Sequence, residues 1–437
     1  MSTPLDRLAE LAREDKERQF LSLAHHLTPS FLGQAFGRLR KEASAGVDGV
    51  THAEYAADLE ANVQQLHARL RQRQYRAQPL RRAYIPKENG EQRPISIPVL
   101  EDKVVQKAVV DLLNAVYEED FLACSYGFRA GRDAHQALDE VGRIICRRPI
   151  SCVLEVDIRA YFDSIVRVLL RELIERRIRD GSIHRLIGKW INVGVIDQER
   201  LLVTKTGTGQ GQVISPLLAN VYLHYVLDTW FEVEIKPRLR GEAYEVRYAD
   251  DFILCFQYRR DGERVFQVLH ERFARYGLTL HPEKTRLIDF GRAVWQKSTR
   301  AGGPRPATFA FLGFTHVSAP SRRGRFTIHL RTQRSRLRRR LVAVSRWCQE
   351  HRHDPVEAQA EALNRKLRGH YTYYGRPTNY RSLWQFHRGV RRTWKKWLNR
   401  RTRGKTLDWD TYEQLLARHP LLLPYITRSW TGAGSPV

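Results

Sequence analysis

Two adjacent aspartates, Asp250 and Asp251, and a third, Asp157, are the residues of this sequence whose type and setting could do chemistry. Three converging carboxylates can hold two Mg2+ ions roughly 3.5–4 Å apart, one activating an attacking hydroxyl and the other stabilising a departing pyrophosphate. That is the chemistry of nucleotidyl transfer. An arbitrary Asp-Asp pair is usually a solvated turn, because aspartate hydrogen-bonds its own backbone there. Asp157 shifts the balance, since it also ends an apolar run of β type, Val153-Leu154-Glu155-Val156.

Neighbouring side chains on a continuous strand point to opposite faces, so two adjacent aspartates serve one site only where the backbone turns. The runs Tyr244-Glu245-Val246 and Phe252-Ile253-Leu254-Cys255-Phe256 flank Arg247-Tyr248-Ala249-Asp250-Asp251 and predict a strand, a tight turn and a strand. The helical pattern Val265, Val268, Leu269, Phe273, Tyr276 follows, ending at Gly277. Leu278-Thr279-Leu280 then reads as a returning strand and Phe309–Phe314 as another, the order of a split βαβ sheet with helices on one face.

The chain has 437 residues, enough for roughly two to four structural units. Its net charge of +26 self-repels unless a polyanion neutralises it, which points to nucleic acid before an anionic membrane surface. No apolar run approaches the about 18 residues of a membrane span, and Met1-Ser2-Thr3-Pro4 opens no signal peptide, so a cytoplasmic protein is expected. The five cysteines are scattered without paired spacing, which disfavours disulfides and structural zinc.

Leu5 to Arg76 reads as charged helix, broken at Pro29 and at the loop Gly46-Val47-Asp48-Gly49. Arg81–Lys87 and Gln92–Pro98 flank Asn89-Gly90 and predict a hairpin holding Lys87 and Arg93 on opposite limbs, two cations suited to a triphosphate or simply a solvated ribbon. Val104 to Val116 repeats with helical spacing. Ser125-Tyr126-Gly127-Phe128-Arg129 is a glycine and arginine loop that could brace a template strand. Thr206 to Gln212 is glycine-rich without the ending of a P-loop, and Ser215-Pro216 predicts a helix start with serine as cap. From Arg331 the chain is basic and helical. There Leu383, Phe386, Val390, Trp394 and Trp397 form an apolar face flanked by Arg388, Arg391, Arg392, Lys395 and Lys396, which would track a phosphate backbone. Tyr371, Tyr373 and Tyr374 are candidates to stack on bases.

Assembled in this order, the motifs resemble the reverse transcriptases encoded by bacterial group II introns, the maturases. The resemblance runs from about Gly46 to about Lys405. It rests on Gly46-Val47-Asp48-Gly49, Tyr84-Ile85-Pro86-Lys87, Ser125–Arg129, the Asp157 run, Gln210-Gly211 with Ile214–Asn220, Tyr248-Ala249-Asp250-Asp251, Glu283-Lys284-Thr285 and Phe311-Leu312-Gly313-Phe314. It implies an α+β right-hand polymerase: N-terminal extension and fingers over 1–150, a palm with inserted finger elements over 151–320, and a helical thumb and maturase domain with a short basic tail over 321–437. The implied activity is RNA-directed DNA synthesis together with binding and folding of intron RNA for splicing and mobility. The implied partners are an RNA template, a DNA primer or target and dNTPs. Carried over by position, Asp157, Asp250 and Asp251 are the ligands of two Mg2+ ions, Phe162 blocks a ribose 2′-hydroxyl, Gln210 and Gly211 lie beside the incoming nucleotide, and Lys87 and Arg93 contact its triphosphate. Lys284 lies near the pyrophosphate or salt-bridges to neighbouring acids, and Arg129 lies against a nucleic-acid strand.

Two departures stand out. Where the family usually has proline before Gln-Gly and glycine after it, this chain has Gly209 and Gln212, which bears on pocket rigidity and fidelity rather than on the chemistry. The cysteine-bearing endonuclease domain of many relatives has no counterpart after Lys405, so second-strand cleavage is not expected. A domesticated relative acting in DNA repair or phage defence would carry the same site, and only intron RNA domains flanking the gene would separate the two. A splicing chaperone with a dead polymerase site is opposed by the intact Asp157, Asp250 and Asp251.

Overall fold

The computed structural model describes residues 3–86, 92–197, 200–202, 207–300, 303, 306–401 and 407–428. The N-terminal segment is helical because its helix starts are capped. In α1 (Pro4–Glu14) and α3 (His52–Ala57), Thr3 with Asp6 and Thr51 with Glu54 satisfy free N–H groups reciprocally, and the Thr28 hydroxyl accepts from Phe31 in α2 (Pro29–Gly37). After α4 (Leu59–Arg71), the predicted hairpin forms from β1 (Leu80–Pro86) and β2 (Gln92–Ile97), antiparallel with Arg93 opposite Ile85. Its Asn-Gly turn lies outside the described residues.

The long helix α5 (Leu100–Asp120) buries the predicted apolar face, Val104, Val105, Ala108, Val109, Leu112, Leu113 and Val116. Next come α6 (Ala134–Arg147), β3 (Cys152–Asp157), α7 (Tyr161–Ser164), α8 (Arg167–Glu175) and α9 (Gly181–Asn192). The strands β4 (Val195–Asp197) and β5 (Arg200–Leu202) extend the hairpin into a sheet of order β2-β1-β4-β5. α10 (Ser215–Leu223) runs into π-helical turns at His224–Asp228 and Trp230–Ile235. Ser215 is not the cap expected. Ile214 holds that position, and the Ser215 hydroxyl donates backward to the carbonyls of Thr208 (2.6 Å) and Gly209 (3.1 Å).

β6 (Ala243–Tyr248), β7 (Asp251–Phe256), α11 (Arg259–Arg275) and β8 (Arg286–Asp289) complete a second sheet of order β6-β7-β3-β8. The strand expected at Leu278–Leu280 is only an isolated bridge. Leu280 pairs with Ile158 and Thr279 accepts from Arg159, while the paired fourth strand falls at Arg286–Asp289. The remaining elements are α12 (Arg292–Arg300), an antiparallel sheet of β9 (Phe309–Phe311), β10 (Phe314–Pro320) and β11 (Phe326–Thr332), then α13 (Arg334–Glu350), α14 (Val356–Tyr374), α15 (Tyr380–Leu398) and α16 (Trp409–Arg418). The α+β class expected from the sequence is therefore present.

The chain divides into two compact units. The first comprises Met1–Ala137, Val156–Leu254 and Arg260–Leu287. In its core α1 and α2 pack on α5, and the buried Arg177 holds the N-terminal segment by donating to Asp120 and to the carbonyls of Ala12, Asp15 and Arg18. The second comprises Leu138–Glu155, Cys255–Arg259 and Ile288–Val437. There α13 packs on α15, whose expected apolar face is buried at Leu383, Phe386, Val390 and Trp394, while Trp397 is half-buried and donates to Ser345 (3.1 Å). Arg376, nearly excluded from solvent, is neutralised by Asp139. No described helix is long and apolar enough to cross a membrane.

Candidate active site

The candidate site is built in the first unit by two strands and one turn. β3 and β7 are neighbours in the sheet, so Asp157 at the end of β3 faces the turn between β6 and β7 that carries Asp250 and opens onto Asp251. The end of β3 is fixed by its backbone: the Asp157 carbonyl accepts from His281 (2.8 Å) and its N–H donates to the Thr285 hydroxyl (3.4 Å). Desolvation pushes the Asp250 carboxyl above its ordinary range, and the negative charge of Asp157 pushes it further; Arg93 and Arg247 act in the opposite sense. These two carboxylates thus share one electrostatic environment, the condition a divalent cation relieves. The donor set is all oxygen, which suits a hard cation. Lys284 Nζ stands 2.9 Å from Asp157 Oδ2 on an exposed edge, the ion pair that the sequence had left open beside a pyrophosphate role.

Arg247, one residue before the turn motif, was given no role by the sequence and proves to hold it. The side chain is fully buried. Its Nε and Nη2 donate to the two carboxylate oxygens of Asp228 (2.7 and 2.5 Å), Nη2 to Ser125 Oγ (2.8 Å), and Nη1 to Asn220 Oδ1 (3.1 Å) and the Ala249 carbonyl (3.0 Å). Ala249 needs that grip, because it sits at φ +57°, a conformation costing a non-glycine residue about 1–3 kcal/mol. A π-helical turn, wider than an α turn, ends at Asp228 and brings it to the arginine. Beside them Glu245 is buried, its carboxyl pushed well above the carboxylate range by desolvation first and by Asp228 second. The signal in the sequence was period two: Glu245 and Arg247 are charged residues on the inward face of a strand, where a charge needs a partner.

The loop Cys124–Arg129 is the second support. It runs along β6 by a parallel bridge from Ser125 to Arg247, with Tyr126 N–H donating to the Arg247 carbonyl and Arg247 N–H to the Cys124 carbonyl, both at 2.8 Å. A side chain at Gly127 would place Cβ 2.3 Å from the Ala249 nitrogen, so only glycine lets the loop lie on the turn. Arg129 corrects an expectation. It points inward, 9% exposed, donating to Glu118 (2.9 Å) and to the carbonyls of Leu122 and Ser125, and so braces the loop instead of meeting a nucleic-acid strand.

Of the residues expected around a nucleotide, Phe162 is half-buried, and its carbonyl accepts from Thr208 (3.0 Å), which ties it to the glycine loop. Gln210 and Gly211 sit at the loop's tip, where the Gln210 carbonyl accepts from Ser96 of β2 (2.7 Å). Arg93 is exposed on β2 and acts electrostatically on Asp250. Lys87 lies outside the described residues.

In the second unit the basic set of α15 divides. Arg388, Arg392 and Lys396 are exposed at four-residue spacing on one face. Arg391 is ion-paired with Glu413 and lies over Trp409, while Lys395 donates to the Leu407 carbonyl (2.7 Å) and covers the same ring, so α16 engages both. Tyr371 and Tyr374 are buried, and Tyr373 donates to the Leu312 carbonyl (2.8 Å). Tyr371 and Tyr374 are packing residues, contrary to the stacking expected of them, while Tyr373 is half-buried.

Against known proteins, residues 85–316 match the family model described as reverse transcriptase (RNA-dependent DNA polymerase). The chain is 34% identical over 283 residues to Protein YkfC of Escherichia coli, covering 57% of this chain and 71% of that one. It is 31% identical over 285 residues to the group II intron-encoded protein LtrA of Lactococcus lactis, covering 65% of this chain and 47% of LtrA. A 91 kDa protein in the cob intron of Schizosaccharomyces pombe is 39% identical over 165 residues, 20% of its length. The chain thus spans less than half of the intron-encoded relatives it matches.

Proposed function

The chain belongs to the reverse transcriptase (RNA-dependent DNA polymerase) family, and from that membership we propose that it copies RNA into DNA and binds a group II intron RNA, assisting its splicing and mobility. The observation that carries the polymerase reading is the meeting of Asp157 with the Asp250-Asp251 turn on neighbouring strands, where desolvation first and the charge of Asp157 after it raise Asp250. Asp157, Asp250 and Asp251 would hold two Mg2+ ions, which when bound activate the primer 3′-hydroxyl and neutralise charge developing on the leaving pyrophosphate. The chain's own residues do the rest. Arg247 keeps the aspartate turn in place, and Gln210 and Gly211 line the pocket beside the incoming dNTP. Phe162 excludes a ribose 2′-hydroxyl, and Arg93 with Lys87 orients the triphosphate. Lys284 exchanges its contact with Asp157 for the pyrophosphate as cation and nucleotide enter.

In this assignment the fingers with the N-terminal extension span 1–150, the palm 151–320 and the thumb and maturase domain 321–437. The exposed Arg388, Arg392 and Lys396 of the thumb meet the phosphates of intron RNA or of the primer–template. Template-dependent primer extension on RNA, assayed with Asp250→Asn, tests the reading. Neutralising that carboxylate is expected to abolish extension while RNA binding persists; extension at the wild-type rate would refute the site.

A further inference from the structure

The loop from Thr208 to Ser215 contains Gln210 and Gly211 and departs from the family pattern at Gly209 and Gln212. At Gly209 the backbone has φ +65°, which proline cannot adopt because its ring holds φ near −65°. The Gln212 side chain fills the space beside it: a Cβ at position 209 would stand 2.7 Å from Gln212 Nε2. Gln212 is 3% exposed and its amide is fully engaged. Nε2 donates to the carbonyls of Trp190 (3.0 Å) and Thr208 (3.1 Å), and Oε1 accepts from Gln106 Nε2 (2.9 Å). Gln106, wholly buried in α5, turns its own Oε1 to the N–H groups of Val213 (2.9 Å) and Ile214 (3.4 Å). Two side-chain amides therefore satisfy four backbone groups of the loop and of α9, a closed network in a low-dielectric interior.

We infer that the buried Gln106–Gln212 amide pair fixes the loop carrying Gln210 and Gly211 and thereby sets selectivity for the incoming nucleotide. The loop has other anchors: Thr208 N–H donates to the Phe162 carbonyl, Ser96 N–H to the Gln210 carbonyl, Gln212 N–H to the Gly209 carbonyl (3.3 Å), and the Ser215 hydroxyl to the carbonyls of Thr208 and Gly209. The first two couple the loop to the residue proposed to exclude ribose and to β2, and the others close its turn on itself, but none of these bonds ties it to α5 and α9. The amide pair does that from inside, with hydrogen bonds where proline and glycine are usual in the family. Gln106 and Gln212 are positioning residues, acting on the nucleotide through Gln210 and Gly211. This inference rests on the polymerase reading above.

The test is single-nucleotide primer extension by full-length wild type, Gln212→Gly and Gln212→Met, each checked by thermal melting. Losing one positioning hydrogen-bond set is expected to raise KM for the correct dNTP about tenfold and to narrow discrimination against mismatched and ribonucleotides, with primer–template affinity unchanged. The methionine variant keeps the side-chain volume and carries the same measurement if the glycine variant melts below the assay temperature. In the wild type, the amide protons of Val213 and Ile214 should exchange slowly. A folded variant with unaltered KM and discrimination overturns the inference, as does rapid exchange at those amides. The polymerase reading survives such a result provided that wild type extends primers and Asp250→Asn does not; failure of wild type to extend any primer removes that reading itself.

Discussion

Carboxylates proposed to be catalytic are only as useful as the geometry that holds them, and at the residue scale that geometry is concentrated in Arg247. Its guanidinium satisfies Asp228, Asn220, Ser125 and the strained Ala249 carbonyl at once, an arrangement that the planar fork of arginine allows and the point charge of lysine does not. Arg247→Lys should therefore lower kcat by roughly 100-fold, the order of loss that a displacement near 1 Å brings. Arg247→Met alone, which leaves Asp228 buried and unpaired, should cost about 3–5 kcal/mol of stability. The paired substitution Arg247→Met with Asp228→Leu separates the two effects, since an apolar pair of similar volume restores packing without the donor to Ala249. We expect a variant that melts near wild type and extends primers poorly. Full activity in that double variant would make the ion pair a packing device with no part in placing Asp250 and Asp251.

At the element scale, α15 turns one face to the core and leaves Arg388, Arg392 and Lys396 exposed on another, and α16 engages the cations between them. Arg388, Arg392 and Lys396 are one helical turn apart and exposed, whereas Arg391 and Lys395 are engaged by Glu413, Trp409 and the Leu407 carbonyl. Each phosphate contact releases condensed counterions, so the slope of log affinity against log salt counts contacts. Replacing Arg388, Arg392 and Lys396 together by alanine should flatten that slope for RNA by roughly 2–3 units. Base preference should be unchanged, because phosphate contacts position without specifying. Arg391→Ala should instead loosen α16 and leave the slope alone. Equal slopes for the triple variant and wild type in a salt titration would remove this face from the binding surface.

At the scale of the whole molecule, the chain carries a net charge of +26, yet its second unit buries histidines whose charged form is disfavoured. His316 is pushed down to about 3 by desolvation and stacks on Phe309; His370, also pushed down to about 3 by desolvation, stacks on Phe386. Both folded values lie below the unfolded one near 6.5, so the unfolded chain binds protons first and stability falls as pH drops below about 6.5, continuing toward 3. Each histidine should contribute a loss of about 1.4 kcal/mol per pH unit in that window. Denaturant melts of the second unit's fluorescence at pH 7 and pH 5.5, repeated with His316→Phe and His370→Phe, should show the pH dependence shrinking; an undiminished dependence would place it elsewhere. The same contrast between pattern and partner separates what sequence alone determined from what folding decided. The strand, turn and strand around Asp250, the hairpin at Arg93, the buried faces of α5 and α15 and the α+β class were legible because apolar periodicity and turn residues act locally. Periodicity reports that a position is inside; it does not report what meets it there. So Arg129 and Tyr371, read as outward, turned inward, Arg391 and Lys395 were captured by a helix that follows them, and Leu278–Leu280 found only a bridge. Gln106 meets Gln212 across 106 residues of sequence, and Arg247 reaches Ser125 across 122. Such contacts are set by which elements pack together, and a buried polar group accepts whatever partner that packing delivers, so only the tertiary structure could assign them.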